Sequence, residues 1–233
     1  MDNNTRQTVV HTRIQHSVRN DKIEQEKKTL LGYYDYTVIL TYSGMLSAFI
    51  GILSSINEHF KAAVICLMLS GLCDMFDGAV ASTKVRTKSQ KRFGIQIDSL
   101  SDLISFGVLP AVFLYMYSGK SALSGVISSV YVLCSLIRLS YFNVLEENRQ
   151  DNTDEKRSDY LGVPVTTVAL LLPMIYLSYF CGIIKNQIWF SVMLIILGVF
   201  FILSVNVKKP NTYGKIAIIL LGTAEIISLL IIN

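Results

Sequence analysis

Apolar residues gather in seven blocks along this chain, at about 36–56, 62–82, 95–118, 122–144, 161–184, 187–206 and 215–232. Each block is close to the ~20 residues that a helix rising 1.5 Å per residue needs to cross a hydrocarbon core about 30 Å thick. Within a block the apolar run is nearly continuous, so the helices it predicts are hydrophobic all round and belong in a membrane. The pattern predicts an all-α integral membrane protein with a transmembrane domain over 36–233. Residues 1–35 form a separate polar segment and lack the short apolar run of a signal peptide. In it Val10, Ile14 and Val18 recur every fourth residue with Arg6, Arg13 and Arg19 between them. That spacing fits either a helix lying at the membrane interface or a solvated tail.

Composition agrees with this pattern and narrows the classes. Charged residues make up 16% of the chain, against about 25% in soluble domains, and this excludes disordered chains and nucleic-acid arms. The cysteines Cys66, Cys73, Cys134 and Cys181 all sit inside apolar blocks with no CxxC pair, as buried thiols do. His11, His16 and His59 are scattered outside the blocks and form no zinc set.

Charge placement gives the orientation. Of 21 Lys and Arg, 17 fall in the N-terminal segment and in the segments 83–94, 145–160 and 206–215. Across the proposed membrane stand Lys61, Lys120 and Lys185, with Arg138 near the inner end of the fourth block. The positive-inside rule therefore places the N-terminus and those three segments in the cytoplasm, with a prokaryotic cell membrane as the expected location.

Five acids fall inside the apolar blocks: Asp74, Asp77, Asp98, Asp102 and Glu225. An aspartate at mid-membrane costs about 2.5–3.5 kcal/mol on insertion scales, so four in two consecutive blocks call for a function. Asp74 and Asp77 are three apart, with Gly78 and Ala81 continuing toward the cytoplasmic end. Gly94, Asp98 and Asp102 are four apart and share one helical face. Two antiparallel helices joined by a short loop can bring these faces together. Carboxylates crowded around one cavity repel unless cations neutralise them, and an all-oxygen set suits Mg²⁺ or Mn²⁺. A centre holding two such ions near the inner surface suits a pyrophosphate substrate. Gly78, Ala81 and Gly94 leave room for a ligand to approach. The loop 83–94 holds Lys84, Arg86, Lys88, Lys91 and Arg92 with no acid, which attracts a nucleotide phosphate or anionic headgroups, or serves topology alone. A cation transporter is the alternative from another class, but the outer halves of the two blocks, 62–72 and 107–118, carry no charge to continue a pathway.

The string CDMFDGAVASTKVRTKSQKRFGIQIDSLSD resembles the signature of the CDP-alcohol phosphatidyltransferase family, D-x-x-D-G-x-x-A-R followed by G-x-x-x-D-x-x-x-D. Asp74, Asp77, Gly78, Ala81, Gly94, Asp98 and Asp102 match. Two positions depart: Ser82 stands where the family has arginine, and the spacer 83–93 is longer than usual. Lys84 and Arg86 are the candidates to replace that arginine. DSLSDLISFGVLPA (98–111), IRLSYFNV (137–144) and YLGVPVTTVA (160–169) resemble the serine-using branch of the family.

The resemblance implies a six-helix core, a homodimer, and metal ligation by Asp74, Asp77 and Asp98. It implies that Asp102 is the general base and a further metal contact. The last block, 215–232, would be an addition to that core, and Glu225 within it has no family role. The implied donor is CDP-diacylglycerol, with Gly78, Ala81 and Gly94 at its cytidine end. The implied acceptor is L-serine, with glycerol 3-phosphate or inositol phosphate as alternatives. Ser105, Arg138 and Asn143 are the candidates for holding serine. Membrane lipids are the surroundings, and no nucleic acid is expected.

Overall fold

The computed structural model describes residues 32–34, 36–152, 159–204, 206–208 and 212–231. The expectation for the N-terminal helix around Val10–Val18 lies outside them. The described residues form seven helices. A 3₁₀ turn, Tyr36–Val38, leads into α1 (Ile39–Ile56), followed by α2 (Phe60–Ala81) and α3 (Lys88–Tyr117). Next come α4 (Ala122–Asn152), α5 (Val168–Phe180, entered by a 3₁₀ turn Val165–Thr167), α6 (Ile188–Ile202) and α7 (Thr212–Ile231). One helix stands in each apolar block. The helical stretches Tyr36–Ile56, Phe60–Ala81, Lys88–Tyr117 and Ala122–Arg149 are long and apolar enough to cross a membrane, while Val165–Phe180, Ile188–Ile202 and Ala217–Ile231 are shorter apolar helices. The chain is an all-α integral membrane protein but for one antiparallel pair of three-residue strands. In it β1 (Asp159–Leu161) meets β2 (Asn206–Lys208) with Tyr160 opposite Val207, tying the entry of α5 to the exit of α6.

Two helix boundaries differ from the hydropathy expectation. Helix α3 begins seven residues earlier than block 95–118, because Thr87 and Gln90 form a capping box. The Gln90 amide donates to Thr87 Oγ1 at 3.2 Å, and the Thr87 amide donates to Gln90 Oε1 at 3.0 Å. Helix α4 runs past the expected end at 144 to Asn152. Hydropathy reports the membrane and not the helix, and the polar continuation carries the Glu146–Arg149 ion pair at i,i+3.

The core lies where α1 to α6 meet. Ala48, Val64, Leu67, Phe106, Leu114 and Leu194 are fully buried there. Small residues set the helix separations, as in other membrane bundles. A Cβ on Gly71 would stand 2.9 Å from the Ala169 Cβ, so α2 and α5 pack closely at this point. At the end away from the aspartates an aromatic cluster closes the bundle. Tyr117 stacks on Phe113 with centroids 5.2 Å apart, and receives edges from Phe60 at 4.8 Å and Phe190 at 4.9 Å. Such rings are favoured at a membrane interface. Leu46, Phe49, Ile50 and Leu53 of α1 and Val126, Val130 and Leu133 of α4 stay exposed, as lipid-facing residues do.

Helix α3 is not regular. Lys88–Asp102 is α-helical, Leu103–Val108 is π-helical, and Leu109–Tyr117 is α-helical again. The cause is in the sequence. Pro110 sits four residues beyond Phe106, has no N–H for its carbonyl, and its ring crowds that oxygen. The widened turn makes room, and Tyr131 Oη from α4 donates to the Phe106 carbonyl at 2.8 Å. The irregularity starts at the residue after Asp102.

Candidate active site

The C-terminal half of α2 and the N-terminal half of α3 place the four aspartates face to face. Asp74 faces Asp102, and Asp77 faces Asp98. Carboxylate oxygens of Asp74, Asp77 and Asp98 all lie within 4.8 Å of one another, close enough to share a metal ion. Helix α1 closes the third side. Thr41 Oγ1 donates to Asp77 Oδ2 at 3.1 Å, and Ser101 Oγ reaches the Thr41 carbonyl at 3.3 Å, fixing α1 against both acid-bearing helices.

Two cavities meet at this cluster. The deeper one, lined by all four aspartates with Ser70, Ser101 and Ser105, holds about 10 Å³, the room of one water or small ion. The wider one, about 360 Å³, is of ligand size and opens from Asp77 and Asp98. Thr41, Asp77 and Asp98 line both. The donor set is oxygen throughout, it is crowded with like charge, and the space beside it is ion-sized. These residues fit hard divalent cations, Mg²⁺ or Mn²⁺.

The wider cavity has two unlike walls. One comes from α2, the following loop and the start of α3: Gly78, Ala81, Arg86, Lys91 and Gly94. Gly78 has nothing within 4 Å of its Cβ position, so a ligand can lie against the backbone. Arg86 folds back over α3, its Nη1 3.0 Å from where a Gly94 Cβ would be. Lys84 is not part of this wall, and its Nζ stands 6.0 Å from the Tyr36 ring centroid. Ser82 turns inward on its own helix end, donating to the Ala79 carbonyl at 2.7 Å.

The other wall is α4. Asn143 accepts a 2.5 Å hydrogen bond from Ser99 Oγ and donates to Gln96 Oε1 at 3.5 Å. Glu146 and Arg149 follow at intervals of three residues along the same face. Arg149 grips Glu146 at two points, Nε to Oε2 at 3.0 Å and Nη2 to Oε1 at 2.5 Å. Ser105 lies beside Asp102 in the deep cavity. Arg138 does not line either cavity. It packs instead under Gly162, whose φ of +79° and lack of a Cβ leave space for the guanidinium. Lys91 was read in the sequence only as one of five loop cations, and Thr41, Glu146 and Arg149 went unnoticed. A period of three residues from Asn143 was the available signal for the last two.

Residues 37–204, more than half of the chain, match the family model described as CDP-alcohol phosphatidyltransferase. Among curated proteins, archaetidylserine synthase of Methanothermobacter thermautotrophicus is 30% identical over 177 residues, covering 76% of this chain and 70% of that protein. The CDP-diacylglycerol–serine O-phosphatidyltransferase of Methanocaldococcus jannaschii is 31% identical over 180 residues, 77% of each chain. The enzyme of that name from Saccharomyces cerevisiae is 34% identical over 147 residues, 58% of this chain and 52% of that protein. No solved structure matches the chain at a significant level. With the matched region spanning both acid-bearing helices and their cavities, this chain belongs to the CDP-alcohol phosphatidyltransferase family.

Proposed function

We propose that this chain transfers the phosphatidyl group of CDP-diacylglycerol to the hydroxyl of L-serine, giving phosphatidylserine and CMP. The convergence of three carboxylates within 4.8 Å at the mouth of a ligand-sized cavity carries the reading. The serine-using relatives, alike over most of this chain, support the acceptor.

Asp74, Asp77 and Asp98 would hold divalent cations, two per subunit on this reading, with Asp102 as a further contact. Bound there, the ions neutralise the donor pyrophosphate and stabilise the leaving phosphate of CMP. The rest is done by the protein. Gly78, Ala81 and Gly94 let the cytidine end lie close to the helices, and Arg86, with Lys91 beside it, supplies the positive charge that Ser82 cannot. Thr41 orients the Asp77 carboxylate by its 3.1 Å hydrogen bond. Asp102 takes the proton from the serine hydroxyl as that oxygen attacks the lipid-side phosphorus; the P–O bond to CMP breaks, and CMP leaves with the electron pair. A site at the inner membrane surface suits one lipid and one water-soluble substrate. The Lys and Arg distribution supports a cytoplasmic site, in a prokaryotic cell membrane on this reading. A homodimer is part of the same proposal and rests on the family resemblance alone.

The test is CMP release by the purified protein in micelles containing CDP-diacylglycerol and Mn²⁺, with serine, glycerol 3-phosphate or inositol phosphate added separately. Release with serine, matched by phosphatidylserine formation, is expected. Release only with a phosphorylated alcohol would refute the acceptor and keep the chemistry.

A further inference from the structure

Glu146 and Arg149 are a close opposite-charge pair built into the wall of a substrate cavity. An i,i+3 pair on a solvated helix contributes little to stability and needs no cavity. This one is shielded, with side-chain exposures of 18% and 25% for Glu146 and Arg149, and it faces the same space as Asp98. Its depth is set by Asn143, one helical turn further in, which is hydrogen-bonded to Ser99 beside Asp98. Three residues rise about 4.5 Å along the axis, so Glu146 stands a short step outward from the level of Ser99 and Asp98. The opposite wall adds two cations, Arg86 and Lys91. The cavity thus sets Arg86 and Lys91 beside Asp77 and Asp98 on one side and the Glu146–Arg149 pair on the other.

We infer that Glu146 and Arg149 form a two-point clamp for a zwitterionic acceptor: Arg149 takes the α-carboxylate and Glu146 the α-ammonium. The clamp rests on the serine reading given above and assigns its selectivity. An inserted zwitterion replaces one ion pair with two and leaves the wall neutral. A phosphorylated alcohol would take Arg149 and leave Glu146 facing a dianion, a repulsion that selects against it. An alcohol lacking either charge would satisfy one half of the pair and leave the other exposed to loss of its partner.

The experiment measures initial rates of CMP release with three acceptors: serine, ethanolamine (no carboxylate) and 3-hydroxypropionate (no ammonium). Arg149→Gln is expected to raise the serine KM by about 10- to 100-fold, the range of a lost charged hydrogen bond. It should cut the preference for serine over ethanolamine by about the same factor while keeping the preference over 3-hydroxypropionate. Glu146→Gln should do the reverse. The KM for CDP-diacylglycerol should stay within about twofold in both, since a change of that size is small beside one lost charged contact. The exchange variant, Glu146→Arg with Arg149→Glu, keeps the ion pair and the fold and should still lose serine selectivity. A merely structural pair predicts the opposite: selectivity ratios unchanged in both single variants and full activity in the exchange variant, and either result overturns the clamp. A wild-type protein that transfers to ethanolamine or 3-hydroxypropionate as well as to serine overturns it too. A wild-type protein that ignores serine altogether refutes the proposed function and takes the clamp with it.

Discussion

Removing the Tyr131 hydroxyl tests whether the irregular turn of α3 is held from outside the helix. Tyr131 is 1% exposed and donates to the Phe106 carbonyl at 2.8 Å. Pro110 cannot supply a replacement donor at the four-residue spacing, and Phe106 is itself 1% exposed. Tyr131→Phe keeps the ring and its contact with Phe201, centroids 5.6 Å apart, so the change is confined to one buried hydrogen bond. Leaving a buried carbonyl without that donor costs about 1–3 kcal/mol. In a chain of this size each kcal/mol lowers Tm by about 2–4 °C, so a drop of roughly 2–12 °C is expected in a thermal melt in detergent. Because the π-helical segment begins at Leu103, directly after Asp102, kcat should fall with KM for both substrates nearly unchanged.

Pro110→Ala supplies the control. It restores a backbone N–H four residues beyond Phe106, and that donor can take over the carbonyl. The double variant Pro110→Ala/Tyr131→Phe should therefore lose about 1 kcal/mol less than the two single changes added together, a coupling that a double-mutant cycle resolves. Strict additivity in that cycle, or a Tyr131→Phe protein that melts with the wild type, would refute the assignment of the carbonyl to Tyr131.

Asp102→Asn should abolish turnover in the micelle assay while CDP-diacylglycerol still binds; turnover near the wild-type rate would remove Asp102 from the base role. Asp98→Ala should weaken Mn²⁺ binding as well as activity, because it removes one of three carboxylates within 4.8 Å of one another, and titration calorimetry with Mn²⁺ reads the loss directly. Arg86→Ala should raise the KM for CDP-diacylglycerol by about tenfold or more, the loss of one charged contact, with Lys84→Ala close to wild type. An equal effect of the two would return both to the status of topological charges. Gly71→Ala should destabilise by about 1–3 kcal/mol, since the new methyl would stand 2.9 Å from the Ala169 Cβ on a facing backbone. An unchanged melt would mean that α2 and α5 can separate at no cost.

Hydropathy made the seven helices legible because each apolar block has to satisfy the membrane along its whole length. The aspartates were legible for the converse reason: four acids in two such blocks are too costly to be incidental. What hydropathy could not register was helix outside the membrane. The start of α3 at Lys88 was nevertheless written in the sequence, since Thr87 and Gln90 have the spacing of a capping box. The extension of α4 carried only the weaker signal of Asn143, Glu146 and Arg149 recurring every three residues. The π-helical turn needed Pro110 to be read together with Phe106 four residues earlier. Arg138 was misleading as a neighbour of Asn143 in sequence. Five residues carry a helix through about 500° at about 100° per residue, which leaves the two side chains on different faces. Arg138 went to Gly162 and Asn143 to the cavity.

The two departures from the family signature are connected through the same short stretch of chain. A serine at the end of α2 turns its hydroxyl back to the Ala79 carbonyl, and Thr83 does the same to Val80 at 2.7 Å, so the helix stops there with its last carbonyls satisfied. An arginine at position 82 would have projected from that last turn. The longer spacer instead continues to Thr87, whose capping box starts α3 at Lys88, six residues before Gly94. Arg86 is the residue just ahead of the cap, and from there its guanidinium reaches over the first turns of α3 to Gly94, where the absence of a Cβ admits it. Neither change is sufficient by itself. Without the extra residues Arg86 would lie in the wrong place, and without the glycine its Nη1 would meet a methyl group. If Arg86 holds the donor, restoring arginine at Ser82 should rescue an Arg86→Ala variant, and a Ser82→Arg/Arg86→Ala protein with the same KM for CDP-diacylglycerol as Arg86→Ala would show that the two positions serve different ends.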